Sequence, residues 1–234
     1  NGTDEHLFGL TGNVSHLFRP YNRVVVDLGL DYGKYQGQLD ASYANFWLTT
    51  RYVREKGRAR TSVGVRVSAV SSRAQGFAKA NQFVYPDIRA SYDIIKEAMR
   101  LYLNVTGGES VNTYASMIDR NHHFSLAYSV QDAALLGSSV ERVRPEVGLD
   151  GRISSFFTYA LKAGYVLKDH ALMDVLAKDD AGYLPAFGYG GYSQAYAGAE
   201  CTLNLEAFRF DGAFRYAYTW GLPELATAYF VIPA

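Results

Sequence analysis

The sequence lacks several features that would assign it to a familiar class. Its 234 residues include one cysteine, Cys201, which excludes an intrachain disulfide. No run of apolar residues is long enough for a transmembrane helix, which needs about 18 or more. The 23 basic and 23 acidic residues give a formal net charge of zero, without the clustered excess of Lys and Arg typical of nucleic-acid binding. We therefore expect no nucleic-acid partner.

Catalytic signatures are also missing. No G-x-S-x-G nucleophile elbow occurs, and the glycines of "GYGGY" at 188–192 lack the Lys-Ser/Thr and the strand-to-helix context of a phosphate-binding loop. The adjacent pair His122 and His123 suggests a transition-metal site, but neighbours on a strand point to opposite faces, and no Cys or carboxylate cluster accompanies them. We expect no enzyme activity, no cofactor and no metal. The opening "NGTDEH" is no signal peptide, which indicates a mature form or a fragment.

What the sequence does contain is a period of two. In "NRVVVDLGLDYGKY" at 22–35, Val24, Val26, Leu28, Leu30 and Tyr32 share one parity, and charged residues and glycines take the other. This pattern predicts a β-strand with one apolar and one charged face. About ten or eleven segments fit the same alternation template, and no segment convincingly predicts a helix. The sequence therefore predicts an all-β protein.

Connection lengths indicate how the strands are arranged. Short connections are predicted at 19–22, 55–58, 95–99, 152–155 and 205–207, and mostly longer ones between them at 36–41, 72–82, 107–139 and 168–192. Alternating short and long connections place all short turns at one end of an antiparallel up-and-down sheet. This is typical of transmembrane β-barrels, whose periplasmic turns are short and whose extracellular loops are long. "GYGGY" is accordingly interpreted as part of a loop.

Aromatic residues support the same arrangement. The sequence has 19 Tyr and 13 Phe, and the aromatic residues of the apolar parity gather near strand ends, as in the interfacial girdles of a barrel. Those near the short turns are Phe18, Tyr52, Phe157, Phe208 and Phe210, and those near the long connections are Tyr32, Tyr165, Tyr218 and Trp220. A soluble antiparallel sheet with one buried face also alternates, and it remains the alternative.

Four stretches resemble a known family. "VYPDIRASYDII", "LNVTGGESVNTYASMIDRNHHF", "LPAFGYGGYSQAYAGAE" and "LEAFRFDGAFRYAYTWGL" look like outer-membrane β-barrel proteins of Bacteroidota, loosely labelled TonB-dependent-receptor-like. The resemblance covers about residues 5–222. It implies a Gram-negative outer membrane, a barrel fold and no catalytic residues. Family members look longer, with further strands on both sides, so we expect residues 1–234 to form a single barrel domain that is incomplete at one or both ends and possibly part of a larger barrel.

The charged parity holds the candidate functional residues. In a barrel this parity faces the lumen, which predicts lumen-facing positions at Arg23, Asp27, Asp31, Arg51, Arg66, Asp87, Arg89, Asp93, Arg100, Arg142, Arg144, Glu146, Asp150, Lys162, Glu200, Arg209, Asp211 and Arg215. One interpretation is a set of cross-strand ion pairs that fills and stiffens the lumen. The other is a polar route whose arginines attract anionic solutes. Pairing is favoured for most of them, because an unpaired charge in a narrow lumen is costly.

The predicted function is therefore an outer-membrane β-barrel that passes or binds small polar solutes through a charged lumen, in a porin-like manner. Its expected partners are outer-membrane lipid, other outer-membrane proteins and small solutes. Two alternatives remain: a structural or accessory barrel in an outer-membrane complex, and a soluble β-sheet binding domain.

Overall fold

A computed structural model describes residues 4–37, 40–74, 77–120, 138–179, 182–205, 207–222 and 228–230. Strands dominate, as alternation predicts. They are β1 (Asp4–Arg19), β2 (Asn22–Gln36), β3 (Ala41–Lys56), β4 (Ala59–Ala74), β5 (Phe77–Ile95), β6 (Met99–Val111), β7 (Ser138–Arg152), β8 (Phe157–Asp179), β9 (Gly182–Asn204), β10 (Arg209–Trp220) and β11 (Ala228–Phe230). A short helix, α1 (Tyr114–Arg120), lies between β6 and β7. The sequence did not predict this helix.

The strands form one antiparallel up-and-down sheet. Its order is β1-β2-β3-β4-β5-β6-β7-β8-β9-β10, so each strand of this series pairs with its neighbours in sequence. Within the described ranges the sheet is open, with β1 and β10 as its two edges. The short β11 pairs with residues 175–177 of β8.

All the predicted short turns lie at one end of the sheet, here called the turn end. Two of them use the left-handed backbone region at non-glycine residues, Tyr21 (φ 79°) and Glu97 (φ 63°), and a third uses Gly57 (φ 62°). The opposite end, which carries α1, is called the helix end. The predicted fold class, an all-β antiparallel up-and-down sheet, is confirmed.

Two of the predicted long loops are wrong. Residues 72–82 belong mostly to β4 and β5, and residues 168–192, including "GYGGY", belong mostly to β8 and β9, which run for 23 residues each. A membrane strand needs only about 9–11 residues. These hairpins therefore continue as ribbons past the apolar part of the sheet, and the glycines of "GYGGY" were wrongly interpreted as part of a loop.

The two faces of the sheet differ in chemistry and exposure. We call the face that carries Leu28 and Tyr32 the outer face; these side chains are 37% and 41% exposed. We call the opposite face, which carries the buried residues Val25 and Gly29, the inner face. Other exposed apolar residues on the outer face include Phe46, Val65, Val67, Val84, Leu101, Leu103, Val147, Leu161, Phe214 and Tyr216. An exposed apolar face of this kind favours the membrane arrangement, and the soluble sheet stays the alternative.

The apolar band has the height expected for a membrane wall. On β2 it runs from Val24 to Tyr32, where the outer face becomes polar at Lys34. Eight steps of about 3.4 Å give about 27 Å along the strand, or about 21 Å along the membrane normal at a tilt of about 40°. Barrels present an outward apolar band about 25 Å tall. Among the described residues, no helix is long and apolar enough to cross a membrane.

The position of α1 shows that the sheet curls around its inner face. The N-terminus of α1 contacts Glu5 on β1, and Arg120 at its C-terminus contacts Asp174 on β8. In a flat sheet β1 and β8 would lie about 34 Å apart, at about 4.8 Å per strand. A helix of 7 residues is only about 10 Å long. The helix therefore bridges a deeply concave inner face at the helix end.

Candidate functional site

A row of alternating charges crosses the inner face on β2, β3 and β5. Arg51 on β3 contacts Asp27 on β2, and its Nη1 lies 3.8 Å from Asp87 Oδ2 on β5. The Arg89 Nε donates to Asp87 Oδ1 at 3.0 Å. Arg51, Gly64 and Asp87 are in register on successive strands, and Gly64 lies beneath the Arg51 side chain. Because Gly64 has no side chain, Arg51 can pass over β4 and reach a carboxylate two strands away.

A second cluster is centred on the buried carboxylate of Glu109 on β6. This side chain is 0% exposed and accepts hydrogen bonds from Arg66 Nη2 (2.7 Å), Ser68 Oγ (2.8 Å) and Asn45 Nδ2 (3.4 Å). The guanidinium of Arg66 also lies over the Trp47 ring, 4.6 Å from its centroid. The sequence reasoning missed Glu109 because it assigned 107–139 to a loop. The continuation of alternating residues past "NVTGG" was the available signal.

Most of the other predicted inner-face charges are paired. Arg100 and Asp150 form two hydrogen bonds, and Glu200 accepts from Lys162 at 3.2 Å and lies 3.7 Å from Arg215. The remaining contacts are Arg23 with Glu55, Arg209 with Asp211, Arg144 with Glu141, Arg142 with Asp169 and Tyr196 with Glu146.

Three predicted positions differ from this pattern of paired, inner-face charges. Asp31 and Asp93 form no ion pair with a described residue. The Arg142 side chain is 68% exposed and pairs with Asp169 beside the register shifts between β7 and β8. The inner face thus carries many charges, and most of them are neutralised by a neighbour.

Two recesses open on this inner face. One, of about 480 Å³, lies toward the turn end and is lined by charges of both signs, including Arg60, Arg89, Arg100, Glu146 and Asp150. The other, also about 480 Å³, is lined by the row around Arg51. Balanced charge of this kind offers hydrogen bonds to polar solutes of either sign.

The helix α1 covers the inner face at the helix end. The backbone N–H groups of Tyr114 and Ala115 each donate to one carboxylate oxygen of Glu5, at 3.1 Å. Arg120 Nη2 lies 2.7 Å from Asp174 Oδ2, and Arg120 Nη1 donates to the Leu172 carbonyl at 3.3 Å. A negative charge at the N-terminus of a helix and a cation at its C-terminus both complement the helix dipole. Both ends of α1 are therefore fixed to strands that are far apart in the sequence.

Beneath α1 lies an apolar cluster on the inner face. Met117 is 0% exposed. It packs with Tyr35, Ala41, Tyr43, Leu172 and Phe187. Tyr35 lies beyond the apolar band, where burial, reinforced by the nearby Glu5 carboxylate, raises the pKa of its phenol well above the ordinary value. The helix α1 and the cluster beneath it therefore form an apolar lid between the charged inner face and the helix end.

The described residues hold no group of three or more His, Cys, Asp or Glu side chains close enough to bind a metal. The pair His122 and His123 lies outside the described residues. Cys201 is a free thiol, partly buried on β9.

Sequence comparison and structural comparison give different results. No protein-family model matches the chain, and no curated protein matches its sequence. Solved structures do share its fold. The copper transporter OprC has a TM-score of 0.65 at 10% identity, with 93% of this chain aligned to 38% of that one.

Two further structures are similar. The FrpB iron transporter from Neisseria meningitidis has a TM-score of 0.68 at 7% identity, with 93% of this chain aligned to 36% of that one. The FpvAI–pyocin S2 complex has a TM-score of 0.58 at 11% identity, with 93% aligned to 32%. At these identities the likeness defines the fold alone: an outer-membrane β-barrel wall. The chain spans between 32% and 38% of the length of these structures. The resemblance to an outer-membrane barrel is confirmed for the fold, and the Bacteroidota family remains a prediction.

Proposed function

We propose that this chain forms part of the wall of an outer-membrane transport barrel, and that its inner face lines a route for small polar solutes. The observation that supports this best is the division of the sheet: exposed apolar side chains on the outer face, and ion-paired polar side chains on a concave inner face. That division is favourable in a membrane, because lipid covers the apolar face. The proposed role is passive and needs no cofactor.

The length comparison supports a larger assembly. Three similar structures are longer, and among the described residues β1 and β10 each have one side with no backbone partner along an apolar, exposed strand. Unpaired N–H and C=O groups in lipid cost several kcal/mol each. We propose that further strands continue the sheet on both sides, and that residues 1–234 are one part of a single larger barrel. Its location would be the Gram-negative outer membrane, with the helix end facing outward.

Solute flux tests the proposal. The full-length protein, extracted from membranes, is reconstituted into liposomes, and swelling is followed in an isotonic solution of a small sugar. Flux above that of protein-free liposomes is expected, and removal of both α1 anchors by Glu5→Ala and Arg120→Ala should increase it, because the lid over the inner face is then released. Correctly inserted protein that passes no solute in either form would contradict transport and favour the accessory-barrel alternative.

A further inference from the structure

A row of basic and hydroxyl side chains crosses the outer face just above the apolar band. The strand register aligns His6 with Lys34, Lys34 with Ser42, and Ser42 with Arg73, on β1 to β4. These four side chains have outer-face parity, because they alternate with inner-face residues such as the buried Tyr35 and Tyr43. The row therefore lies at one level of the wall, at its helix end.

The two cations of this row differ from those of the inner face. Lys34 and Arg73 are both exposed, and neither forms an ion pair with a carboxylate of the described residues. Two carboxylates lie one outer-face position farther from the apolar band: Asp4, aligned with Gln36 on β1, and Asp40, which immediately precedes β3. Neither forms an ion pair with Lys34 or Arg73. Most inner-face arginines, by contrast, have an acidic partner within 4 Å. Two positive charges are thus left available on the outer face.

Their spacing suits a single anion. Lys34 and Arg73 are separated by one strand, so their backbones lie about 10 Å apart. Both side chains are long and can lean over Ser42 from opposite sides. Arg73 offers paired N–H donors, Lys34 offers a mobile positive charge, and Ser42 offers a hydroxyl donor. Together these groups match the oxygens of a phosphate group.

The surface below the row is apolar. On the same strands, the next outer-face positions toward the turn end are Tyr32 and Ala44, followed by Leu30 and Phe46. Tyr32 and Phe46 are 41% and 48% exposed. Cations at this height extend toward the headgroup layer while the residues below contact acyl chains. The footprint is therefore amphipathic, with its charge on the side away from the membrane centre.

From this arrangement we infer that Lys34, Ser42 and Arg73 bind the phosphate of a lipid headgroup in the outer leaflet, with the acyl chains of that lipid lying along Tyr32 and Phe46. The inference rests on the proposed function, since it requires the outer face to contact lipid and the helix end to face outward. Free phosphate would use the same polar groups but gain nothing from the apolar surface below them. A lipid with a phosphate in its headgroup is therefore the ligand that the whole footprint fits.

The test measures lipid binding by the full-length protein, extracted from membranes and delipidated in a neutral detergent. The probe is dioleoyl phosphatidic acid, and dioleoylglycerol, which has the same chains without phosphate, is the control lipid. We expect phosphatidic acid to bind at least tenfold more tightly, and the Lys34→Gln/Arg73→Gln variant to lose that preference. The matched control Lys56→Gln/Lys96→Gln removes the same charge at the turn end and should stay within twofold of wild type. Exchanging the cations, as Lys34→Arg/Arg73→Lys, should restore binding.

Several outcomes would overturn the inference. Equal binding of phosphatidic acid by wild type and the Lys34→Gln/Arg73→Gln variant would exclude this row as the site, provided both proteins show the same strand content by circular dichroism. Inorganic phosphate that binds as tightly as the lipid would mean a free-anion site instead. A protein that stays soluble without detergent would contradict the proposed function itself, whereas extracted protein with equal binding contradicts only the lipid site.

Discussion

The indole of Trp47 on β3 lies directly over Gly29 on β2. The two residues are aligned across the ladder on the inner face, and a Cβ at Gly29 would overlap the ring. The same relationship recurs three times, at Gly33 with Tyr43, Gly148 with Tyr102, and Gly164 with Tyr196. In each pair the ring covers the backbone that glycine leaves open, which also fixes the strand register.

Gly29→Ala should therefore destabilise the sheet although alanine is small. The new methyl group would displace Trp47, and such overpacking costs about 1–3 kcal/mol. Gly108→Ala is the control, because nothing lies within 4 Å of a Cβ there. The measurement is urea-induced unfolding in detergent micelles. In a Trp47→Ala background the penalty of Gly29→Ala should disappear, and an unchanged penalty would contradict the packing explanation.

Depth in the membrane can be tested on one face of one strand. Leu28→Arg places a charge in the middle of the apolar band and should cost about 2–4 kcal/mol in folding free energy. Gln36→Arg, on the same face of β2 but beyond the band, should cost about 0–1 kcal/mol. Refolding into lipid vesicles at increasing urea measures both. Equal penalties would mean that the outer face of β2 does not cross a bilayer.

Removing the buried carboxylate of Glu109 should lower the free energy of unfolding more than removing the exposed carboxylate of Glu55. Glu109→Ala removes the carboxylate that pairs with the part-buried Arg66 and accepts from Ser68, so it should cost about 1–3 kcal/mol. Glu55→Ala breaks an ion pair whose side chains are 47% and 52% exposed, so the cost should be at most about 1 kcal/mol. The double variant Glu109→Met/Arg66→Met should recover much of the loss, since no buried charge remains. The measurement is the free energy of unfolding of each variant. Similar losses of stability for the two Ala variants would contradict the burial argument.

The anchoring of α1 predicts a protected position at Met117. In a Cys201→Ser background, Met117→Cys should react slowly with an aqueous maleimide because its side chain is fully buried. Adding Glu5→Ala and Arg120→Ala removes both anchors and should accelerate labelling at least tenfold. Adding Lys96→Ala instead, at the turn end, should leave the rate unchanged. Fast labelling without the anchor substitutions would show that α1 does not close the inner face.

Sidedness can be checked on whole cells. In the same Cys201→Ser background, Asp40→Cys at the helix end should be labelled by a maleimide that cannot cross the outer membrane. Lys96→Cys at the turn end, where the side chain is 77% exposed, should be labelled only after the membrane is permeabilised. The opposite result would reverse the orientation that transport and lipid binding both assume.

Much of this wall could be predicted from local sequence, because alternation and turn residues are local signals. Segments such as "VVVDLGL" therefore gave the right strands and faces, and "RPYN" and "EKGR" gave the right turns. Contacts between distant strands could not be predicted. Glu109 reaches Arg66 across 43 residues, and Arg51 reaches Asp87 only because Gly64 clears the way. The ribbons of β8 and β9 were mistaken for loops because their glycines and polar residues carry little alternation.

The bridge made by α1 also has a consequence for folding order. The hydrogen bond from Tyr114 to Glu5 joins residues 109 positions apart, whereas β1 and β2 meet through a two-residue turn. Closing such a long loop costs entropy, which disfavours the distant contact until the intervening hairpins have formed and shortened the free chain between the two residues. The strands from β1 to β6 should thus assemble first, and the helix should dock late, on a surface that only a curled sheet provides. An assembly intermediate arrested before that step would expose the apolar cluster around Met117 to water.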